Sequence, residues 1–72
     1  MKLGIYRHYK NKSYEVIGVA KNSDDLTDYV VYKTLYQNDI SDLWLRRLEE
    51  FNEMVVVDGV KVPRFTFISE KQ

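Results

Sequence analysis

The 72-residue chain has no cysteine, one histidine, one proline and three glycines. The absence of cysteine excludes disulfides and thiolate chemistry. A structural zinc site is not expected either, because with one histidine only carboxylates remain to complete the ligand set. Gly4, Gly18 and Gly59 are scattered, so the chain has no glycine-rich phosphate loop, which argues against a nucleotide-hydrolysing enzyme. We therefore expect no metal, no cofactor and no catalytic residues.

Net charge and long apolar runs are also missing. Eleven basic and eleven acidic residues cancel, whereas a nonspecific nucleic-acid binder usually carries an excess of positive charge. A local basic face remains compatible with this balance. No apolar run approaches the roughly 18 residues of a membrane span, and the first residues lack a secretory signal pattern. We expect a cytoplasmic protein with no membrane partner.

The composition, 44% hydrophobic and 14% aromatic, suits a globular domain. Its length allows one domain with a small core, predicted over residues 1–68, with a polar tail at 69–72.

The N-terminal half predicts a hairpin followed by a third strand. Residues 3–10 and 14–21 read as strands joined by a three-residue turn, which would place His8 opposite Val16 and Tyr6 opposite Gly18. Residues 29–36 are dominated by β-branched and aromatic side chains, as is typical of a strand.

The segment 43–54 is ambiguous. Trp44, Leu48 and Phe51 recur at helical spacing, whereas residues 43–47 also fit a short strand. Our interpretation is a strand over 43–47 and one helical turn at 48–53, and a helix over the whole segment is the alternative.

The C-terminal third predicts a second hairpin. Asp58-Gly59 between two valine-rich runs is the signature of a type I′ turn, and Pro63 indicates a strand edge or a bend. About five to six short strands at 8–12-residue spacing predict an all-β fold. The architecture that we expect is a small SH3-like or partly open β-barrel with one short helical turn.

Residues 4–10 crowd rings and cations into one segment. On a strand, Tyr6, His8 and Lys10 would share a face, so this is the best candidate for an interaction surface. His8 is the only side chain whose ordinary pKa lies near neutrality. A purely structural histidine is favoured over a general base, because no nucleophile lies beside it in sequence.

Arginines recur in other predicted strands. Two of Arg7, Arg46 and Arg64 could form an anion clamp if the fold brings them together, with tyrosines and Trp44 as stacking faces. The alternative is that these arginines pair with Glu15, Asp42, Glu49 or Glu50 and that the rings fill the core. The candidate ligand-binding residues are Tyr6, His8, Tyr32, Trp44, Arg46 and Arg64.

Ordered matches along nearly the whole chain resemble a known family. They include Gly4-x-Tyr6-Arg7-His8-Tyr9-Lys10, Leu43-Trp44-x-Arg46 and Val62-Pro63-Arg64-Phe65. The chain resembles the bacterial domain of unknown function 1653. The resemblance implies a small, mostly β bacterial domain, found alone or attached to other domains, and implies no activity.

Two departures from the family pattern bear on the site. The family usually has Arg-Pro where this chain has Arg46-Arg47, and a His-Ser-Glu-Thr loop where this chain has Asn-Ser-Asp-Asp at 22–25. The second change leaves His8 without a second histidine.

Three functional hypotheses follow. The leading one is a non-enzymatic binding module whose aromatic and arginine-lined face takes an anionic ligand, either a nucleotide or single-stranded nucleic acid. The second is a protein-interaction or homodimerisation domain that uses edge strands. The third is a small enzyme that uses His8, which the sequence favours least.

Overall fold

The computed structural model describes residues 1–70, in which seven strands and one short helix occur. In chain order these elements are β1 (Gly4–His8), β2 (Ser13–Lys21), β3 (Asp28–Thr34), β4 (Leu43–Arg47), α1 (Leu48–Phe51), β5 (Met54–Val57), β6 (Val60–Pro63) and β7 (Phe65–Ser69).

Five strands form an antiparallel sheet in the order β4-β3-β2-β1-β7, and β5 pairs with β6 as a separate hairpin. The all-β class predicted from the sequence is confirmed. The two sheets do not close into a barrel, so the architecture is open.

The predicted pairing of the first hairpin is wrong. Tyr6 lies opposite Tyr14 and Gly4 opposite Val16, while Gly18 lies opposite Val31 of β3. The reason is that the turn lies two residues earlier than expected, at residues 9–11, where the His8 amide donates to Lys12 O at 2.7 Å and Asn11 adopts a φ of 68°. Asparagine tolerates this left-handed conformation well, so the turn closes there and each β1 residue pairs four residues earlier in β2 than predicted.

The strand-then-turn interpretation of residues 43–54 is confirmed, and the full-helix alternative is wrong. β4 pairs with β3 along its length. Its exposure alternates, with Trp44 and Arg46 half-buried and Leu43, Leu45 and Arg47 exposed. That alternation satisfies the two-residue period of a strand at an edge of the sheet, after which one turn of helix carries Phe51 back over the core.

The second hairpin forms as predicted. Asp58 and Gly59 have φ values of 52° and 79°, as a type I′ turn requires. Pro63 is the last residue of β6, in a sheet of only two strands. Arg64 lies between β6 and β7 and not in a strand, which differs from expectation.

The core covers one face of the large sheet. It comprises Tyr6, Val16, Val30, Tyr32, Phe51 and Phe65. The Phe51 ring stacks on the Phe65 ring with centroids 3.9 Å apart. Phe51 follows one edge strand, β4, and Phe65 belongs to the other edge strand, β7. The sheet therefore curves enough for α1 to bridge its two edges.

At the C-terminus, β7 extends to Ser69. The polar tail predicted at 69–72 lies partly outside the described residues, since these end at residue 70. Among residues 1–70, no helix is long and apolar enough to cross a membrane.

Candidate functional site

Three of the predicted site residues come together at one end of the sheet: His8, Arg46 and Arg64, here called the cationic cluster. His8 ends β1 and lies opposite Phe65, the first residue of β7. Arg64 immediately precedes that strand. Its carbonyl accepts from the Tyr9 amide at 3.0 Å, and its amide donates to Glu53 O at 2.9 Å. The backbone of Arg64 is thus held between the end of β1 and the segment after α1.

The Phe65 ring joins the other two members of the cluster. The His8 ring meets it edge-on, with centroids 4.9 Å apart. Arg46 arrives from the opposite edge of the sheet, with its guanidinium carbon 5.9 Å from the centroid of the same ring. Because both contacts are made on one buried ring, sheet curvature is what brings β1, β4 and β7 together here.

The electrostatics of His8 reflect this crowding. Burial lowers the pKa of His8 below its ordinary value, and the charges of Arg46, Arg64 and Lys10 lower it further. Its Nδ1 accepts a hydrogen bond from the Lys10 amide at 3.2 Å. An accepting Nδ1 requires the neutral imidazole, so Nε2 carries the proton. The cluster therefore presents two guanidinium groups and a neutral ring N–H donor.

The two arginines have only loose ionic partners. Arg46 Nη1 lies 3.9 Å from Glu50 Oε2, and Arg64 Nη2 lies 3.5 Å from Glu53 Oε2. Charge-assisted hydrogen bonds are shorter, about 2.7–2.9 Å. The Nε atoms of both arginines are buried without a hydrogen-bond partner. An unpaired buried donor costs free energy, so the cluster is not fully satisfied by its own carboxylates.

A pair of tyrosines borders the cluster. The hydroxyls of Tyr14 and Tyr36 lie 2.9 Å apart in a hydrogen bond, and the Lys12 ammonium lies 4.8 Å from the centroid of the Tyr36 ring. The centroid of the Tyr14 ring lies 6.4 Å from that of the His8 ring and 5.7 Å from that of the Phe65 ring. Burial and then the Tyr36 hydrogen bond raise the pKa of Tyr14, so Tyr14 stays uncharged at neutral pH.

Sequence reasoning did not include Tyr14, Lys12 or Phe65 among the candidates. The alternation of β2 and the turn after His8 carried a usable signal, because the true register sets Tyr14 beside Tyr6 on the core face. The turn that we placed at residues 11–13 concealed this neighbour, because it set Tyr14 opposite Lys10.

Tyr6 and Tyr32 lie in the core and not at the cluster surface. Tyr6 is 7% exposed and Tyr32 is 5% exposed, and the Tyr6 hydroxyl donates to Lys2 O at 2.7 Å. Rings this deeply buried have no face on which a ligand can stack, so their contribution is to packing.

Trp44 also has a structural role. It lies opposite Tyr32 and packs against the core. Its indole N–H donates to Ser41 O at 3.0 Å. The residue is half-buried, and the ring anchors the loop before β4.

Two surface depressions of about 410 Å³ each lie elsewhere. One is lined in part by Lys2, Gly4 and Glu15, and the other by Thr27, Leu48 and Asn52. Neither lining includes a member of the cationic cluster, whose three side chains are half-buried at the end of the sheet. Within residues 1–70, no three histidine or acidic side chains are grouped so as to hold a metal ion.

Known proteins similar to this chain point to one family. Residues 4–67 match the family described as proteins of unknown function, DUF1653. A crystal structure of a DUF1653 protein from Bordetella bronchiseptica is similar over the whole of this chain and 92% of that chain, with 30% identity and a TM-score of 0.93. No curated protein matches the chain. This chain therefore belongs to the DUF1653 family of proteins of unknown function.

Proposed function

We propose that the chain is a non-enzymatic binding module whose cationic cluster takes a phosphate-bearing anion, either a nucleotide or single-stranded nucleic acid. The observation that carries the proposal is the convergence of His8, Arg46 and Arg64 around Phe65. Given the similarity to a Bordetella protein, we also propose a bacterial, cytoplasmic setting.

The geometry suits an anion because the arginines are under-used. Their carboxylate partners lie 3.5–3.9 Å away, so a phosphate oxygen replaces a weak contact with a short one. A planar guanidinium can bind two phosphate oxygens at once. The neutral His8 ring adds a third donor, the N–H at Nε2, and this donor adds no positive charge beside the two arginines.

The half-buried ring of Tyr36 provides the face on which a base can stack. Lys12 already lies over that ring, and base–aromatic stacking is worth about 1–3 kcal/mol per base. Stacking on Tyr36 would require Lys12 to swing from the ring towards a phosphate. Tyr36 therefore has the stacking role, whereas Tyr6 and Tyr32 are buried and have none.

Binding is tested with a fluorescently labelled single-stranded oligonucleotide of about eight nucleotides and with a mononucleotide as competitor. If two phosphates are neutralised on a single strand, affinity should fall about sevenfold between 50 and 200 mM salt. Competition by the mononucleotide distinguishes a nucleotide site from a nucleic-acid track.

Arg64→Glu should weaken binding about tenfold or more, because a charge-assisted contact becomes a repulsion. Arg7→Glu is the matched control, since Arg7 is exposed and follows Tyr6 on β1, so that it points to the other face of the sheet. Equal affinities for the two variants, or no binding by the parent chain, would contradict the proposal.

A second candidate function is protein–protein interaction or homo-oligomerisation through edge strands. The observation that favours it is the β5–β6 hairpin, in which Met54, Val56 and Val60 are exposed and which pairs with no other strand among the described residues.

A further inference from the structure

The β5–β6 hairpin has an apolar face that extends past the part covered by its own chain. Directly opposed residues on paired strands point to the same side, so the pairs Val55–Val62 and Val57–Val60 share one face. Val55 and Val62 are half-buried, whereas Val57 is 38% exposed and Val60 is 60% exposed. The valine face is therefore covered at its base and bare at the turn.

The two edges of the hairpin differ in how they are protected. β6 contains Lys61 and ends in Pro63, and both residues discourage pairing with another strand. β5 reads Met-Val-Val-Val and has neither a charge nor a proline. An unprotected apolar edge of this kind is a template for a further strand.

We propose that β5 pairs antiparallel with β5 of a second copy of this chain, about a two-fold axis at Val56. In this register Val55 lies opposite Val57 of the second copy. Each hairpin already pairs Val55 with Val62 and Val57 with Val60. The four-stranded sheet then has two rows composed wholly of valine, each running across both copies.

The pleat of the strand restricts the possible registers. Val55 and Val57 point to one face of the hairpin and Val56 points to the other. A shift of one residue would set Val55 opposite Val56 of the second copy, which is excluded because directly opposed residues point to the same side. The register centred on Val56 satisfies this condition and sets Glu53 opposite Gly59, so that no charge faces a like charge.

A second copy also fits the molecule as a whole. The chain has a formal net charge of zero, so two copies meet without net repulsion. Among residues 1–70 the core contains six buried hydrophobic residues, and small domains commonly gain stability by oligomerisation. The inference rests on the second candidate function and uses a surface that contains no member of the cationic cluster.

The test is sedimentation of the full chain from micromolar to millimolar concentration. We expect the mass to rise with concentration from the 8.6 kDa of one chain towards twice that value. Salt should affect the transition little, because the pairing is apolar. A single-chain mass at every concentration would overturn the proposal.

Val56→Lys should raise the dimer dissociation constant about tenfold or more, because it sets two lysines directly opposite each other at the two-fold axis. Val56 is 66% exposed, so the folded chain tolerates the change. Ile40→Lys is the matched control, since Ile40 is an 81% exposed apolar residue in a loop. A dimer that Val56→Lys leaves intact, or that Ile40→Lys weakens equally, would contradict the register.

A sample that mixes labelled and unlabelled chains provides an independent readout. Isotope-filtered NMR should show contacts between the Val56 backbones of the two copies, and contacts at any other strand instead would overturn the assignment. Anion binding is then measured on Val56→Lys, which we expect to bind as the parent chain does. Failure of dimerisation and failure of anion binding are thus observed separately.

Discussion

At the scale of single residues, the environment of His8 makes the charge of the cationic cluster depend on pH. The ring is partly buried against Phe65 and lies near Arg46 and Arg64, and each of these neighbours disfavours the imidazolium form. An anion bound between the arginines would offset their charge. His8 therefore reports both on folding and on occupancy of the cluster.

Folding stability should fall on mild acidification because of His8. The unfolded chain takes up the proton at the ordinary pKa of about 6.5, whereas the folded chain does so only at lower pH, since its pKa is lowered. The contribution of His8 to folding stability is therefore fully present above a pH of about 6.5 and is lost as the pH falls below that value. Urea unfolding followed by Trp44 fluorescence between about pH 5 and 8 measures it.

His8→Gln, which does not titrate, should flatten this part of the pH profile. Tyr9→Phe retains the histidine and serves as the control. An unchanged pH dependence in His8→Gln would show that another group is responsible.

The sequence was sufficient to select His8, Arg46 and Arg64, because cations next to rings are uncommon on strands and stand out in a short chain. It could not show that they meet, since Arg46 reaches Phe65 from the opposite edge of the sheet and only curvature brings those edges together. Tyr6 and Tyr32 were also selected, and the structure places them in the core because both point to the covered face.

At the scale of elements, β1 holds β7 through a close backbone approach at Gly4. Gly4 has a φ of 139°, and a Cβ there would meet Ser69 O and lie 2.9 Å from Glu70 Cα. Both contacts are with backbone, which cannot rotate away. Gly18, by contrast, has nothing within 4 Å of where a Cβ would lie.

Gly4→Ala should therefore lower the free energy of unfolding by about 1–3 kcal/mol, from strained backbone and displacement of β7. Gly18→Ala is the matched control and should change it by no more than about 0.5 kcal/mol. Chemical denaturation measures both. Equal effects of the two substitutions would contradict the close approach of β1 to β7.

Helix α1 bridges the two edges of the sheet through one side chain. Phe51 is 1% exposed, and besides its stacking on Phe65 it meets the rings of Tyr6 and Tyr32 edge-on. A helix of a single turn has little stability of its own. Its position must come from this packing.

Phe51→Ala should lower the free energy of unfolding by about 3–5 kcal/mol. For a domain of this size that loss would leave much of the protein unfolded. Phe51→Leu, which leaves a smaller cavity, should retain a cooperative transition at reduced stability. Circular dichroism melting distinguishes the variants, and a Phe51→Ala chain as stable as the parent would contradict the bridging role.

Elements were more predictable than their pairing. The Asp58-Gly59 turn was predictable because its backbone conformation favours those two residues, and β4 was predictable because its side chains alternate. The register of β1 with β2 was not, since it depended on Asn11 adopting a positive φ in the turn, which a polar turn sequence permits but does not require.

At the scale of the whole molecule, the cationic cluster and the valine face belong to different sheets. The cationic cluster lies where β1, β4 and β7 approach one another, and the valine face lies on a hairpin that joins no other sheet among residues 1–70. The proposed anion site and the proposed self-pairing edge therefore lie on separate parts of the molecule. We expect the amide shifts caused by a ligand and the contacts between two copies to map to different residues.

The most direct test of the central claim is an NMR titration of labelled protein with a mononucleotide and a short single-stranded oligonucleotide, at low and moderate salt. The account predicts amide shifts at His8, Arg46 and Arg64 and around Tyr36, which fade as salt rises, persist in Arg7→Glu and are lost in Arg64→Glu. A spectrum that no anion shifts, or shifts that persist unchanged in Arg64→Glu, would contradict it.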